Sequence, residues 1–306
     1  SIALLYGYAP VPVGDAGLTV EDRWVLSRLN TVAAGVTDDL EHYRYADAMR
    51  KLYEFAWDEF CSFYVEMVKG RLQDPAQRTT AQRVLAHVLD VLLRLLHPAM
   101  PFVTEEIWQR LKDFAPERGL TNPQAAGPSV MIATWPEVDS ARIDPTIEAR
   151  FARFQEMLHG LRDIRAKQNL TPKTALRFAL GCDAATAELL QPMGPYFVPL
   201  AGASPTDWGP NVRAFETGAT LTLPFGELYV DLAGLIDVGA EIARKEKERD
   251  NLAGVVRSKE AKLGNAGFVD RAPADVVAKE RRSLEDARRQ MESVERALAE
   301  LRKKRG

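Results

Sequence analysis

The sequence predicts a mainly α-helical fold: an antiparallel helical bundle, a small α+β module and a C-terminal antiparallel coiled-coil hairpin. Apolar residues recur every three or four positions through most of the first 115 residues, as in helices with one buried face. Alternating segments follow between residues 174 and 232, and a seven-residue repeat begins at residue 239. We therefore predict an N-terminal linker, the bundle, the module and a coiled-coil arm, over residues 1–17, 18–139, 140–238 and 239–306.

The first two helices of the bundle have clear local signals. Thr19 and Asp22 have the spacing of an N-terminal cap, so a helix is expected over residues 22–43. A second helix is expected over residues 45–72. Its apolar stripe consists of Leu52, Phe55, Ala56, Phe60, Phe63 and Met67.

Prolines separate the next two helices. Asp74-Pro75 precedes a third helix over residues 81–96, whose inward face is predicted to hold Leu85, Val88, Leu89, Leu92, Leu95 and Leu96. Pro98 and Pro101 stop this helix because proline cannot continue the hydrogen-bond ladder. Thr104 is expected to cap a fourth helix over residues 105–114. Four helices with short connections predict an antiparallel bundle over residues 18–115.

The central module combines one helix with strands. Residues 115–130 are rich in turn formers and predict a loop, and residues 130–136 predict an edge strand. Asp144-Pro145 marks the start of a long helix over residues 146–168. Strands are then expected over residues 174–182, 211–217 and 220–232, with a Pro/Gly-rich connection, residues 193–211, between the first two.

The last segment has the heptad pattern of a coiled coil. On its second helix one column holds Val277, Leu284, Met291 and Leu298, and the other holds Glu280, Ala287, Val294 and Leu301. On its first helix the columns hold Ile242, Val256 and Leu263, and Val238 and Leu252, with interruptions at Lys245, Arg249 and Lys259. Two short helices of this kind are predicted to fold back on each other.

The bend of this hairpin is predicted between the two helices. Gly264-Asn265 is expected to end the first helix, and Pro273 is tolerated in the first turn of the second. Phe268 and Val269 are expected to close the tip by packing on Leu263 and Val276. The alternative is a flexible linker between unrelated helices, which would leave Phe268 without a partner.

Charge is divided unequally along the chain. Residues 239–306 hold 18 Lys and Arg against 13 Asp and Glu, a net charge of +5, whereas the whole chain has a net charge of −3. A basic tail on an acidic body suggests a polyanionic partner.

The sequence excludes several classes of protein. No apolar run approaches the about 20 residues needed to cross a bilayer, and the first residues do not form a signal peptide, so a cytoplasmic location without a membrane partner is expected. Cys61 and Cys182 are too far apart for a CxxC metal site and are interpreted as buried free thiols. The four histidines lack metal-type spacing, and no phosphate-binding or nucleophile motif occurs. The residues alone indicate a binding or structural chain with no metal and no catalytic residues.

Several motifs resemble a known family. The sequences DRWVLSRLN, WDEFCSFYVEMVK and LLHPAMPFVTEEIWQRL, with the Trp-Pro of ATWPEVD, resemble the helical anticodon-binding domain of class I aminoacyl-tRNA synthetases for branched aliphatic amino acids. The sequences IRAKQNLTPK, FGELYVDLAGLID and GNAGFVDRAPADVVAKER resemble the tail of the valyl-tRNA synthetase family. The isoleucyl and leucyl relatives end in different modules, so a tail of that type is the less favoured alternative.

This resemblance implies a C-terminal fragment of an ATP-dependent ligase that charges tRNA with valine. The family's HIGH and KMSKS signatures do not occur here, so this chain alone is expected to lack aminoacylation and editing activity. ATP and Mg²⁺ are expected only in the missing catalytic domain. The expected partners are tRNA(Val) and the N-terminal catalytic and editing domains of the same polypeptide, and a monomer is expected. A protein-interaction module with a coiled-coil arm is the alternative from another functional class.

The resemblance also implies two RNA contacts. Single-stranded anticodon bases are read by stacking and by hydrogen bonds to their edges. The candidates for this role are Tyr43, Arg44, Tyr45, Arg50, Lys51, Glu105 and Glu106. The candidates on the arm, for the tRNA elbow and its phosphates, are Arg257, Lys259, Lys262, Arg281, Arg282, Arg288, Arg289 and Arg296. Tyr45 has core packing as its alternative, and four other aromatic residues are interpreted as packing residues: Trp24, Trp57, Phe60 and Trp108.

Overall fold

The computed structural model describes residues 2–305 except for residues 172, 236–237, 266 and 268–273. The chain divides into two compact units, Ser1–Asp231 and Leu232–Gly306. The predicted boundary between residues 139 and 140 lies inside the first unit and stays a prediction. The mainly α-helical class is confirmed.

The first unit begins with a helical bundle. Its helices are α1 (Val20–Glu41), α2 (Tyr45–Tyr53), α3 (Val65–Val68), α4 (Pro75–Leu96) and α5 (Pro101–Phe114), and a π-helical stretch, Glu54–Tyr64, joins α2 to α3. As predicted, α1 begins after Thr19, whose backbone N–H donates to Asp22 Oδ2 over 3.1 Å. The predicted inward faces are buried, with Ala56, Leu89 and Leu96 half-buried at their margins.

Two helix boundaries differ from the prediction because proline and aspartate begin these helices earlier. Asp74 accepts from the backbone N–H of Ala76 over 3.0 Å, so α4 starts at Pro75. Pro101 is the first residue of α5, which places Thr104 inside the helix rather than at its cap. Thr104 is buried and donates to the carbonyl of Met100 over 2.9 Å.

The π-helical stretch replaces the regular α-helix that the apolar stripe predicted. In a π-helix the hydrogen bonds join residues five apart, so Phe55 and Phe60 are brought onto one face. Both are buried, together with Phe63 and Tyr64. The wider turn therefore buries four aromatic rings within 11 residues.

A buried ion-pair network stabilises the start of α1. Arg71 Nη1 and Nη2 donate to the two carboxylate oxygens of Asp22, each over 2.8 Å, and Nη1 also donates to Glu21 over 3.0 Å. Tyr64 donates to Asp22 and Tyr196 donates to Glu21, each over 2.7 Å. The network thus has two carboxylates, Glu21 and Asp22, for one arginine. The positive end of the α1 dipole stabilises part of the excess negative charge.

The connection after α5 contains less strand than predicted. The loop over residues 115–130 includes a two-residue ladder, β1 (Glu117–Arg118) with β2 (Gln124–Ala125). The edge strand predicted over residues 130–136 is wrong: Val130–Ile132 is a 3₁₀ turn. Ser129 Oγ accepts from the Met131 N–H over 3.1 Å and so turns the backbone away from an extended path.

The α+β module packs directly on the bundle through one helix. This helix, α6 (Pro145–Lys167), is capped by Asp144 as predicted. Its Phe151 stacks on Trp24 of α1 with ring centroids 4.4 Å apart. On the opposite side Gly160 lies against the sheet, where a Cβ would overlap Leu221. The bundle and the sheet therefore share α6.

The sheet has strand order β4-β3-β6-β5, with β4 parallel to β3 and the other pairs antiparallel. Its strands are β3 (Leu176–Gly181), β4 (Ala203–Gly209), β5 (Gly218–Leu223) and β6 (Gly226–Asp231). The strand predicted over residues 211–217 is wrong, since this stretch packs no buried side chain. The predicted irregular connection instead contains α8 (Gly194–Ala201) and β4, preceded by α7 (Ala184–Leu190).

The second unit is the predicted antiparallel hairpin of α9 (Val238–Gly264) and α10 (Ala274–Arg305). Ile242 clusters with Val294 and Leu298, while Lys259 bonds to Glu280. Contacts therefore move down one helix as they move up the other. The heptad columns face the seam where the side chains are described, and α9 ends at Gly264 as predicted. The predicted tip contacts of Phe268 and Val269 lie outside the described residues.

In the described part of the chain, no helix has the length and apolar character to cross a membrane.

Candidate nucleic-acid interface

Both groups of predicted anticodon residues lie at one end of the bundle, which we call the turn end. Trp135 Nε1 donates to Thr37 Oγ1 near the end of α1 over 2.8 Å, and the neighbouring carbonyl of Thr134 accepts from Arg94 near the end of α4 over 3.2 Å. The same segment begins at Ser129, which donates to Glu105 in α5 over 2.8 Å. The α1–α2 turn and the α4–α5 turn therefore lie together.

Tyr43 occupies an unusual backbone position at the turn end. It follows the last turn of α1 with φ of 60°, and the bonds Tyr43 N–Leu40 O (3.1 Å) and Arg44 N–Asp39 O (2.7 Å) form a Schellman motif. Glycine is usual at this position, and an L side chain in the left-handed region costs about 1–2 kcal/mol. The Tyr43 side chain is nevertheless 78% exposed. A bulky residue held in this conformation on the surface points to a functional role.

Tyr45 completes an aromatic pair with Tyr43. Their ring centroids are 6.3 Å apart and their planes meet at 69°. Tyr45 is 58% exposed, so the alternative that it belongs to the core is wrong. The two rings present flat apolar surfaces to solvent at the start of α2.

The neighbouring cations are mostly engaged in ion pairs. Asp39 is buried and accepts from both Lys51 and Arg44 Nε, the latter over 2.9 Å. The hydrogen bond from Lys51, followed by that from Arg44, holds the pKa of Asp39 below its usual range despite burial. Arg44 and Lys51 thus fix the turn that carries the tyrosines. Arg50 is more exposed and, among the described residues, makes a surface pair with Asp47 over 2.7 Å.

The two predicted glutamates have different surroundings. Glu105 accepts from Ser129 Oγ over 2.8 Å, from the Val130 N–H over 3.1 Å and from Gln109 over 2.6 Å. These bonds, led by Gln109, lower its pKa and tie residues 129–130 to α5. Glu106 is exposed, and in the described part of the chain it pairs with Arg110 over 2.7 Å.

Sequence reasoning missed Phe102 and assigned Trp57 wrongly. Phe102, in the first turn of α5, is 91% exposed, and Trp57 in the π-helical stretch is 61% exposed. The interpretation of Trp57 as a packing residue is therefore wrong, because the π-helical turn places it outward. That interpretation is confirmed for Trp24, Phe60 and Trp108, which are buried. The sequence did contain a signal for Phe102. Pro101 favours the first position of a helix, and a helix that begins there places Phe102 opposite its inward face.

On the arm, three of the eight predicted basic residues have exposed side chains without a partner in the described part of the chain: Arg257, Arg281 and Arg282. We call these three the arginine patch. Arg257 lies two residues before Lys259, and the other two directly follow Glu280. Because Lys259 and Glu280 bond over 3.0 Å, the patch lies within about one turn of that pair.

The other predicted basic residues of the arm are paired wherever their side chains are described. Lys259 and Lys262 both contact Glu280, Arg288 bonds to Glu260 over 2.5 Å, and Arg289 bonds to Asp286 over 2.6 Å. The side chain of Arg296 lies outside those described.

Neither cysteine belongs to a metal site in the described residues, where no cluster of His, Cys, Asp and Glu has metal-binding geometry. Cys182 is buried as predicted. Cys61 is exposed, so the prediction of two buried thiols is wrong for this residue, which the π-helical stretch places at the bundle surface.

Two family descriptions match the chain. The anticodon-binding domain of tRNA ligase matches residues 22–180, and the valyl tRNA synthetase tRNA binding arm matches residues 237–302. The chain is 50% identical to the valine–tRNA ligase of Rhodopirellula baltica over 98% of its own length and 29% of the relative. It is 38% identical to that of Geobacter sulfurreducens, over 98% of its length and 33% of the relative, and 35% identical to that of Thermotoga maritima, over 97% and 32%. These matches confirm the resemblance found in the sequence, and the chain spans about a third of the length of these curated relatives.

Proposed function

Because the chain belongs to the family that carries the anticodon-binding domain of tRNA ligases, we propose that it is the tRNA-binding C-terminal part of a valine–tRNA ligase. The proposed RNA partner is tRNA(Val). The turn end of the bundle binds the anticodon stem-loop, and the arm binds the tRNA elbow. ATP-dependent charging of tRNA then belongs to the longer polypeptide, and this chain supplies no catalytic residue.

The exposed Tyr43–Tyr45 pair is the observation that supports anticodon binding most strongly. Stacking of a base on an aromatic ring contributes about 1–3 kcal/mol, and every base has a face that can stack. Phe102 adds a third exposed ring at the same end of the bundle. Glu106 supplies a hydrogen-bond acceptor that distinguishes base edges.

On the arm, the arginine patch supports phosphate binding. Its three side chains have no acidic partner within the described residues, so RNA phosphates do not compete with an existing ion pair. The four paired cations would first have to leave their carboxylates. We therefore assign the phosphate contacts to Arg257, Arg281 and Arg282.

The test measures affinity for three RNAs at low and moderate salt: a tRNA(Val) transcript, the same transcript with a changed anticodon, and the isolated anticodon stem-loop. The full transcript is expected to bind most tightly. Its affinity is expected to fall steeply with salt, because arginine and lysine side chains that bind phosphates displace the counterions condensed on the RNA. The changed anticodon is expected to bind more weakly. Equal binding of both anticodons would contradict reading by the bundle, and no binding at low salt would refute the function.

Light scattering in the same buffers examines the alternative of a protein-interaction module. The chain is expected to keep the mass of a monomer at all concentrations. A molecular mass that rises from that of a monomer to that of a dimer as the protein concentration increases, without RNA, would favour a module that associates through its arm.

A further inference from the structure

An apolar groove runs along the side of the bundle, between the π-helical stretch, α4 and α5. It has a volume of about 390 Å³ and is lined by Leu4, Leu5, Phe60, Cys61, Val65, Leu85, Leu89 and Ile107. The lining includes no charged side chain. Leu89, Ile107 and Val65 are only half-buried, and Cys61 is exposed, so the groove has the composition of a core that lacks one covering element.

The first residues of the chain already occupy one end of this groove. Ile2–Leu5 forms a single 3₁₀ turn that packs against α4 and α5. Gln82 of α4 holds it there by donating to the carbonyl of Leu4 over 3.0 Å and to that of Tyr6 over 2.9 Å. Leu5 is buried. The backbone is thus helical and anchored beside the groove at the first residues that the structure describes.

The charges around the groove argue against RNA as its occupant. Glu54 and Asp58 are exposed on the turns of the π-helical stretch that lead to Cys61, and no Lys or Arg lines the groove. Phosphates would find no cation in the lining, whereas an apolar protein segment would be accepted.

We propose that the groove binds the residues that immediately precede Ser1 in the longer ligase polypeptide, as an apolar helical segment that continues the Ile2–Leu5 turn. The chain matches the C-terminal third of its relatives, whose remaining length lies before the matched region. About 20 residues of helix would extend about 30 Å, more than enough to cover the groove. The inference rests on the proposed function only in that the chain belongs to a longer ligase polypeptide, and it does not depend on tRNA binding.

The thiol of Cys61 provides the test. The chain of residues 1–306 is compared with a version extended by about 20 residues of its own upstream reading frame. Modification of both thiols by a maleimide is followed by mass spectrometry. In the extended version Cys61 is expected to react at least about ten times more slowly, as for an amide or thiol covered by a stable contact. Cys182 is buried in either version and serves as the internal control.

A pair of variants identifies the groove as the cause of protection. In the extended version, Leu89→Glu is expected to restore the reactivity of Cys61, because a carboxylate in the groove would oppose an apolar segment. Val198→Glu is the matched control, since Val198 is exposed on α8 and does not line the groove; it is expected to leave Cys61 protected. If Leu89→Glu does not fold, the melting temperature decides: the extension should raise it in the otherwise unchanged chain.

Three outcomes would overturn the proposal. The first is that Cys61 reacts equally fast with and without the extension. The second is that Val198→Glu restores the reactivity of Cys61 as well as Leu89→Glu does. The third is that Cys61 of the unextended chain becomes protected as the protein concentration and the measured molecular mass rise, which would make a second copy the occupant. Affinity for the tRNA transcript, measured in parallel, separates failure of this proposal from failure of the proposed function.

Discussion

Replacing Tyr43 by glycine separates a structural role of this residue from a role in RNA binding. In the structure Tyr43 has φ of 60° at the glycine position of a Schellman motif. Tyr43→Gly removes the steric cost of that conformation, about 1–2 kcal/mol, and adds back part of it as unfolded-chain entropy. The free energy of unfolding is expected to rise by up to about 1 kcal/mol, which raises the melting temperature by about 2–4 °C.

The same substitution removes the exposed ring, so affinity for the tRNA(Val) transcript is expected to fall. A stacking loss of about 1–3 kcal/mol corresponds to a Kd about 5-fold to 150-fold higher. Fluorescence anisotropy with labelled transcript gives the Kd, and urea denaturation gives the free energy of unfolding. Asn169→Gly is the backbone control, because Asn169 is the other non-glycine residue with positive φ among those described, at 51°.

The reasoning about Tyr43 would be refuted by either of two results. An unchanged Kd would show that the ring does not contact RNA. A fall of more than about 1 kcal/mol in the free energy of unfolding would show that the ring stabilises the fold, against the expectation for the left-handed region.

Three further predictions test the arm and the buried charges. Changing both Arg281 and Arg282 to Glu is expected to reduce the magnitude of the slope of log affinity against log salt by about 2. Changing both Arg288 and Arg289 to Glu, at residues already paired with Glu260 and Asp286, should change it less; equal effects would refute the arginine patch. Arg71→Met is expected to lower the free energy of unfolding by about 3–5 kcal/mol in urea, because it leaves two buried carboxylates without their cation; a loss below about 1 kcal/mol would contradict this network. Burial lowers the pKa of His87 to about 4 from 6.5, so the folded state binds fewer protons and stability is lost as pH falls from 6.5 towards 4. His87→Gln is expected to reduce that loss by about 3 kcal/mol in denaturation curves at pH 7 and pH 4, and an unchanged pH dependence would refute it.

The starts of α1 and α6 and the arm were predictable because their signals are local. The caps at Thr19 and Asp144 act within one turn, so the sequence alone specifies where α1 and α6 begin. In the arm the heptad pattern repeats at a fixed spacing and therefore identifies the seam.

Elements that depend on distant contacts were not predictable in the same way. The π-helical stretch forms because four aromatic rings find partners elsewhere in the fold, which their spacing does not reveal. Residues 193–211 read as a Pro/Gly-rich connection, but parallel pairing with β3 makes part of them a strand. Tertiary pairing outweighs local propensity in both places.

The helix start that carries the predicted anticodon residues was predictable, but the state of their side chains was not. The motif around residues 43–51 predicted a helix start, and α2 begins at Tyr45. Asp39, which binds Arg44 and Lys51, lies on the preceding helix, and its burial cannot be read from the sequence. The left-handed backbone of Tyr43 is likewise set by the end of α1 rather than by tyrosine itself.

The Lys259–Glu280 bond has a consequence for how the two arm helices are aligned. Both side chains lie in the seam, 21% and 19% exposed, among apolar layers. A slip by seven residues would set Lys259 against Ala287, or Glu280 against Leu252, and would desolvate a charge without its counterion. Apolar residues at both positions would bind the helices more tightly yet permit such sliding. The buried ion pair therefore specifies one register of the two helices. That register keeps Arg257 of α9 level with Arg281 and Arg282 of α10.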